Sequence, residues 1–317
     1  MKHSLLFAGA LLLAAPVLAQ DAPPAETADT PKYPSGKVTK EAATFKATAA
    51  EPGEVRKQTS NMNLDMKLEI NMGGNVQKVD QAMEQGFERT VTITGAEADG
   101  SVTGLKVSFS KFTSKQSMGG MNDRSKDLVG KTFVLELEEG GAEGDPSSQP
   151  AEKKPTWKMT DESGAEVTGF FVKSKLEEIA TSVSKEGSEG FQSVLPKEAL
   201  QPGTKLDLPE QAFKQLMDMK GSQNAKFGKK ELVYKGTREI AGQACGVFDV
   251  RVQVSDDSGR GPVMKMTIGG EMAISLDGGR VVLVDMAGNL GMSSSDPNAQ
   301  MSGGGVITIK STTSFSK

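Results

Sequence analysis

Residues 61–72, NMNLDMKLEINM, alternate without a break between polar and apolar side chains. Met62, Leu64, Met66, Leu68, Ile70 and Met72 fall on one side, and Asn61, Asn63, Asp65, Lys67, Glu69 and Asn71 on the other. Such period-two alternation is the signature of a strand with one wet and one buried face. At about 3.3 Å per residue it predicts a strand of roughly 40 Å. A helix would scatter the same residues around its circumference.

The following stretches repeat the pattern. Val76 to Thr94 reads as a strand after the Gly73-Gly74 turn, with Phe87, Arg89, Val91 and Ile93 alternating less cleanly. An Asp99-Gly100 hairpin leads into Val102–Lys115, with Leu105, Val107, Phe109 and Thr113 expected on one face. Leu128–Glu139 is a further strand, and Trp157 to Val167 a closing hairpin. Strands joined by short turns make an antiparallel meander.

The period changes in the middle. Leu176, Ile179, Ala180 and Val183 recur at helical spacing behind Ser174 and Glu177, a capping-box pattern that predicts a helix from Ser174. Pro209 opens a second predicted helix to about Lys220, with Phe213 and Met217 on its apolar stripe and Gly221 ending it. A second β region follows, through Glu231–Gly236, Val247–Val254, Val263–Ile268, Glu271–Leu276, a turn at Asp277–Arg280, Val281–Met286 and Val306–Phe315.

The expected fold is therefore mainly β: a large curved antiparallel sheet or open half-barrel with two short helices inserted mid-chain. A two-sheet β-sandwich is the alternative. Residues 1–19 read as a signal peptide, with Lys2 and His3 before an apolar run too short to span a bilayer. Residues 20–50, rich in Pro, Ala and Thr, read as a disordered spacer. Residues 51–317 form one β-rich domain: a first β region over 51–172, a helical segment over 174–220 and a second β region over 229–317. The protein is expected to be exported, periplasmic or extracellular, with no membrane span.

The leader carries the chain's one histidine, His3. A mature chain without histidine has no Ser-His or Cys-His nucleophile pair and no imidazole metal ligand. No catalytic residue, no metal site and no cofactor is expected, and the protein reads as a non-enzyme. Losing Lys2 with the leader takes the net charge from −4 to −5, and no basic patch points to nucleic acid. Cys245 is the lone cysteine and reads as a small buried thiol.

Methionine is abundant, 16 residues including the initiator, while aromatics make up only 5%. Thioethers fill gaps in an aromatic-poor core and adapt to ligands of variable shape. A curved sheet closed by helices is a natural container for an apolar molecule. Met62, Leu64, Met66, Leu68, Ile70, Met72, Phe213 and Met217 are the candidate ligand-facing residues. The partner expected is a lipid or another extended apolar ligand, or an envelope protein. The alternatives are a structural or interaction module with a dry core and, third, Met-based Cu(I) binding.

The Glu51-Pro52-Gly53-Glu54 turn feeding the long strand, the Asp99-Gly100-Ser101 hairpin, Leu128–Phe133, the Leu195-Pro196 and Pro202-Gly203 breaks and the Asp277–Arg280 turn resemble secreted bacterial β-rich domains of unknown function. That resemblance implies no known activity. The strand–helix–strand order is similar to half-barrel lipoprotein and lipid carriers of the cell envelope.

Overall fold

The computed structural model describes residues 37–72, 74–117, 125–138, 156–184, 192, 195–207, 210, 225–256, 263–294 and 300–317. The alternating stretch lies inside β2 (Val55–Met72), which turns at Gly74 into β3 (Asn75–Ala96). Asn71 Oδ1 accepts a hydrogen bond from the Gly74 N–H at 2.9 Å and fixes that turn. The meander continues through β4 (Val102–Gln116), β5 (Thr132–Glu138) and β6 (Thr156–Asp161). A one-turn helix, α1 (Ser125–Leu128), precedes β5, and α2 (Phe170–Ser184) follows β6. The second half supplies β7 (Lys205–Leu206), β8 (Ala225–Ile240), β9 (Gln243–Asp256), β10 (Val263–Ser275), β12 (Val281–Ser293) and β13 (Gln300–Ser316). Two short strands, β1 (Lys46–Ala47) and β11 (Asp277–Gly278), pair in parallel beside it.

All the long strands join one sheet of 11, in the order β6-β5-β4-β3-β2-β13-β12-β10-β9-β8-β7. Every pairing in it is antiparallel. The sandwich alternative is thereby corrected. β13 pairs with β2 from Gln300↔Asn71 to Ser316↔Val55, so the two β regions fuse edge to edge instead of stacking. The sheet is open, because its end strands β6 and β7 do not pair with each other.

Residues directly opposite in an antiparallel ladder share a face. The register thus places Met62, Leu64, Met66 and Leu68 on the same face as Val91, Leu105 and Leu135 at one end of the sheet and Ile268, Val252 and Leu232 at the other. Two hydrophobic clusters occupy this inner face. One runs from β2 across β13, β12, β10 and β9 to β8, and the other covers β3 to β6 beneath α2.

Curvature has an identifiable source. Gly270 on β10, Gly288 on β12 and Gly305 on β13 stand at inner positions, each displaced by two residues from its neighbour's register partner. At each, a Cβ would collide with the backbone of an adjacent strand. This diagonal of absent side chains lets the strands coil inward.

Three local expectations need correction. α2 starts at Phe170, with the Gly169 carbonyl accepting from the Lys173 N–H at 2.9 Å, so Gly169 is the N-cap and Ser174 lies within the helix. Phe112, not Thr113, continues the inner face of β4, because the pairing slips between Glu88 and Arg89 and makes Ser110 an extra residue. Residues 37–50 carry structure where a disordered spacer was expected: Ala43, Phe45 and Ala50 are buried. The predicted helix after Pro209, the leader and the first part of the spacer lie outside the described residues.

Candidate functional site

The site is built on the inner face where β2, β3, β4 and β13 lie side by side. Of the expected ligand-facing residues, Leu64, Met66 and Leu68 are 6%, 4% and 3% exposed and pack with Ile307, Leu290 and Ile268. Met62 and Ile70 are half-buried. Met72 ends β2 opposite Asn75. Phe213 and Met217 lie outside the described residues.

The chain itself covers one end of this face. Phe45 packs its ring against Tyr234 edge-on at 6.2 Å and against Phe248 at 5.7 Å. The Tyr234 hydroxyl donates to the Glu41 carbonyl at 2.9 Å. Leu200 joins the same cluster through backbone hydrogen bonds exchanged with Ala43. Burial and the nearby Glu41 charge push the Tyr234 phenol up to about 12, so it stays protonated.

Between the two clusters lies a half-buried band of mixed chemistry: Gln58 and Ser60 on β2, Gln85, Phe87 and Arg89 on β3, and Ser114 on β4. Arg89 Nε donates to Gln58 Oε1 at 2.6 Å, and its guanidinium lies 4.4 Å from the centre of the Phe87 ring. Met62 and Met83, both half-buried, border the band on its apolar side. Sequence reading singled out the β2 stripe and missed the polar half of this band. The alternation of Phe87, Arg89, Val91 and Ile93 is visible in the sequence, but the neighbours of Phe87 and Arg89 on β2 and β4 are set by pairings that only the fold supplies.

A second polar constellation closes the band's far end. Arg56, wholly buried, donates through Nε to Glu54 Oε1 at 2.7 Å. Arg280 also pairs with Glu54, and donates to the Thr48 and Ala49 carbonyls at 3.1 and 3.2 Å. Both guanidiniums lie over the Phe315 ring, at 5.7 and 5.2 Å. Burial alone would raise the Glu54 carboxyl, but the hydrogen bonds and charges of Arg280 and Arg56 hold it below the usual glutamate value. These contacts tie residues 48–54 to the hairpin at Arg280 and to the last strand.

The outer face differs in kind. Asn61, Asn63, Asp65, Lys67 and Glu69 are exposed there. Two shallow hollows of about 460 and 400 Å³ open on that side, along Asp65, Lys67, Ala82 and Ser117. The Lys115–Glu84 ion pair, at 3.1 Å, crosses it. Among the described residues no three His, Cys, Asp or Glu side chains converge on a metal position. Nor is any helix among them long and apolar enough to cross a membrane.

Fold and site together define the class: a mainly β protein with one open, curved antiparallel sheet, apolar with a polar seam inside, charged outside along β2 to β4 and apolar outside around Val247, Ala273 and Leu283. No family model and no curated protein matches the chain. Among solved structures, it matches the crystal structure of a DUF1329 family protein from Desulfovibrio piger at 11% identity, over 78% of this chain and 83% of that one, with a TM-score of 0.13. At that TM-score the match carries no argument about fold or function.

Proposed function

We propose that this protein is an exported, non-enzymatic binding protein of the cell envelope that takes an extended apolar ligand against the inner face of its sheet. The observation that carries this reading is the half-buried band bordered by Met62, Met83 and Phe87, which lies between two closed clusters on one continuous face. Thioethers and an aromatic ring beside a few placed polar groups are the usual lining of a small-molecule site. The residues of that band are half-buried, neither sealed like Leu64 and Met66 nor fully exposed.

A second reading, a structural or interaction module without a ligand, draws its support from the near-complete burial of Leu64, Met66 and Leu68. Native mass spectrometry of protein purified from its own envelope separates the two. The binding reading expects a bound species that is released by organic solvent and is absent from a Met62→Gln/Met83→Gln variant. Apo mass alone, together with no uptake of added long-chain lipid, would leave the structural module standing.

A further inference from the structure

The methionines of the inner face fall into two groups. Met66, Met272 and Met286 are 4%, 0% and 2% exposed and fill the core. Met264, Met266, Met292 and Met301 are half-buried and lie together at the end of the face remote from Phe45.

The register fixes their spacing. Met264 on β10 stands directly opposite Met292 on β12, and Met266, two residues along β10, is opposite Leu290 and so diagonal to Met292. On β13, Gly303 is the partner of Met292, which puts Met301 diagonal to it on the other side. The one register shift between β10 and β12 comes at Ala273 and Ile274, well away from these positions, so all four thioethers share the inner face. Gly303 sets no side chain of its own beside Met292.

Side chains directly opposite in an antiparallel pair start about 5 Å apart, and diagonal ones about 7 Å. A methionine carries its sulfur on a flexible unbranched stem, which lets sulfurs from such positions meet above Met292. Thioethers are soft ligands and select Cu(I) over the harder divalent cations. The expectation of no metal site drew on the missing histidine and the lone cysteine, and this grouping uses neither. It is also illegible in sequence beyond the Met264 and Met266 pair, because Met292 and Met301 arrive through strand pairing.

We propose that Met264, Met266 and Met292, with Met301 as a fourth ligand, bind one Cu(I) ion. The site stands apart from the band at Met62 and Met83. Met292 lies six residues, or about 20 Å, along β12 from Met286, which faces Met62 across Ile309. The proposal therefore does not rest on the apolar-ligand reading.

Anaerobic calorimetric titration of the purified protein with Cu(I), supplied as its acetonitrile complex, tests it. The expected result is one equivalent bound, with X-ray absorption showing a first shell of sulfur. Met264→Leu/Met292→Leu, close to the wild type in core volume, weakens binding at least tenfold, while Met62→Leu leaves it unchanged. Met266→Leu alone, the readout should the double variant fail to fold, weakens it at least threefold. No binding by the wild type, equal binding by a folded double variant, or a first shell of oxygen and nitrogen overturns the site.

Discussion

Gly305 stands directly across the ladder from Met66, and a Cβ at Gly305 would collide with the carbonyl oxygen of Asp65 and the Met66 side chain. The buried methionine and the missing side chain are two halves of one packing solution. Met66 fills the space that Gly305 vacates while the strands bend towards each other.

Gly305→Ala should therefore destabilise the protein by about 1–3 kcal/mol, the usual cost of forcing extra volume into a packed sheet. Gly291→Ala is the control. It lies on the outer side of β12, where the nearest atom to a new Cβ is the Lys265 carbonyl oxygen at 3.9 Å. Urea unfolding of the two variants should show a lowered midpoint for the first and a near-native midpoint for the second. Equal midpoints would remove the glycine diagonal as the source of curvature.

Phe45 anchors the segment that closes one end of the inner face. Its ring fits over Gly246, where a Cβ would strike the ring, and packs edge-on against Tyr234 and tilted against Phe248, themselves 5.4 Å apart. Phe45→Ala should cost on the order of 3–5 kcal/mol, as for other buried aromatics. Hydrogen exchange should also rise across residues 39–47 in that variant before it rises in β9. Exchange unchanged in that segment would show that Phe45 is not its anchor.

The long strands were legible because alternation is a local signal and β2 carries it for most of its length. The elements that alternation cannot encode were not. Nothing near Thr113 in sequence announces the extra residue at Ser110, and one inserted residue flips every later side chain to the other face. Ala43 and Phe45 sit in a Lys- and Thr-rich stretch whose apolar content is too sparse to show a period, yet two or three anchors suffice once a sheet is there to receive them. The inner band depends on β13 lying beside β2, a pairing across more than 200 residues that no local pattern reports.

Glu54 gives the protein an acid-sensitive joint. Its carboxyl titrates below the ordinary 4.5 in the folded state, held down by Arg280 and Arg56. A depressed folded value means that the stabilisation is fully present above the unfolded value. It is lost as pH falls through the lower folded one. Thermal midpoints should thus be flat with respect to this group at neutral pH and fall below about pH 4.5. Glu54→Gln should lower stability at pH 7 by roughly 3 kcal/mol, since two buried guanidiniums lose their shared counter-charge. The variant should also show a shallower acid decline than the wild type. Parallel pH profiles would place the acid-sensitive group elsewhere.

Cys245 should be chemically silent in the folded protein. It is fully buried beside Val247 and Ala273, its Sγ donates to the Gln243 carbonyl at 3.4 Å, and burial pushes the thiol up to about 12. A thiol so far above neutral holds almost no thiolate, which is the reactive species. Maleimide labelling at pH 7 should be negligible in buffer and complete in denaturing urea, with the native rate following global unfolding as denaturant is added. Fast labelling of native protein would mean that β9 opens locally at its start, next to the Gly246 contact with Phe45, and would move the weak point of the inner face to that edge.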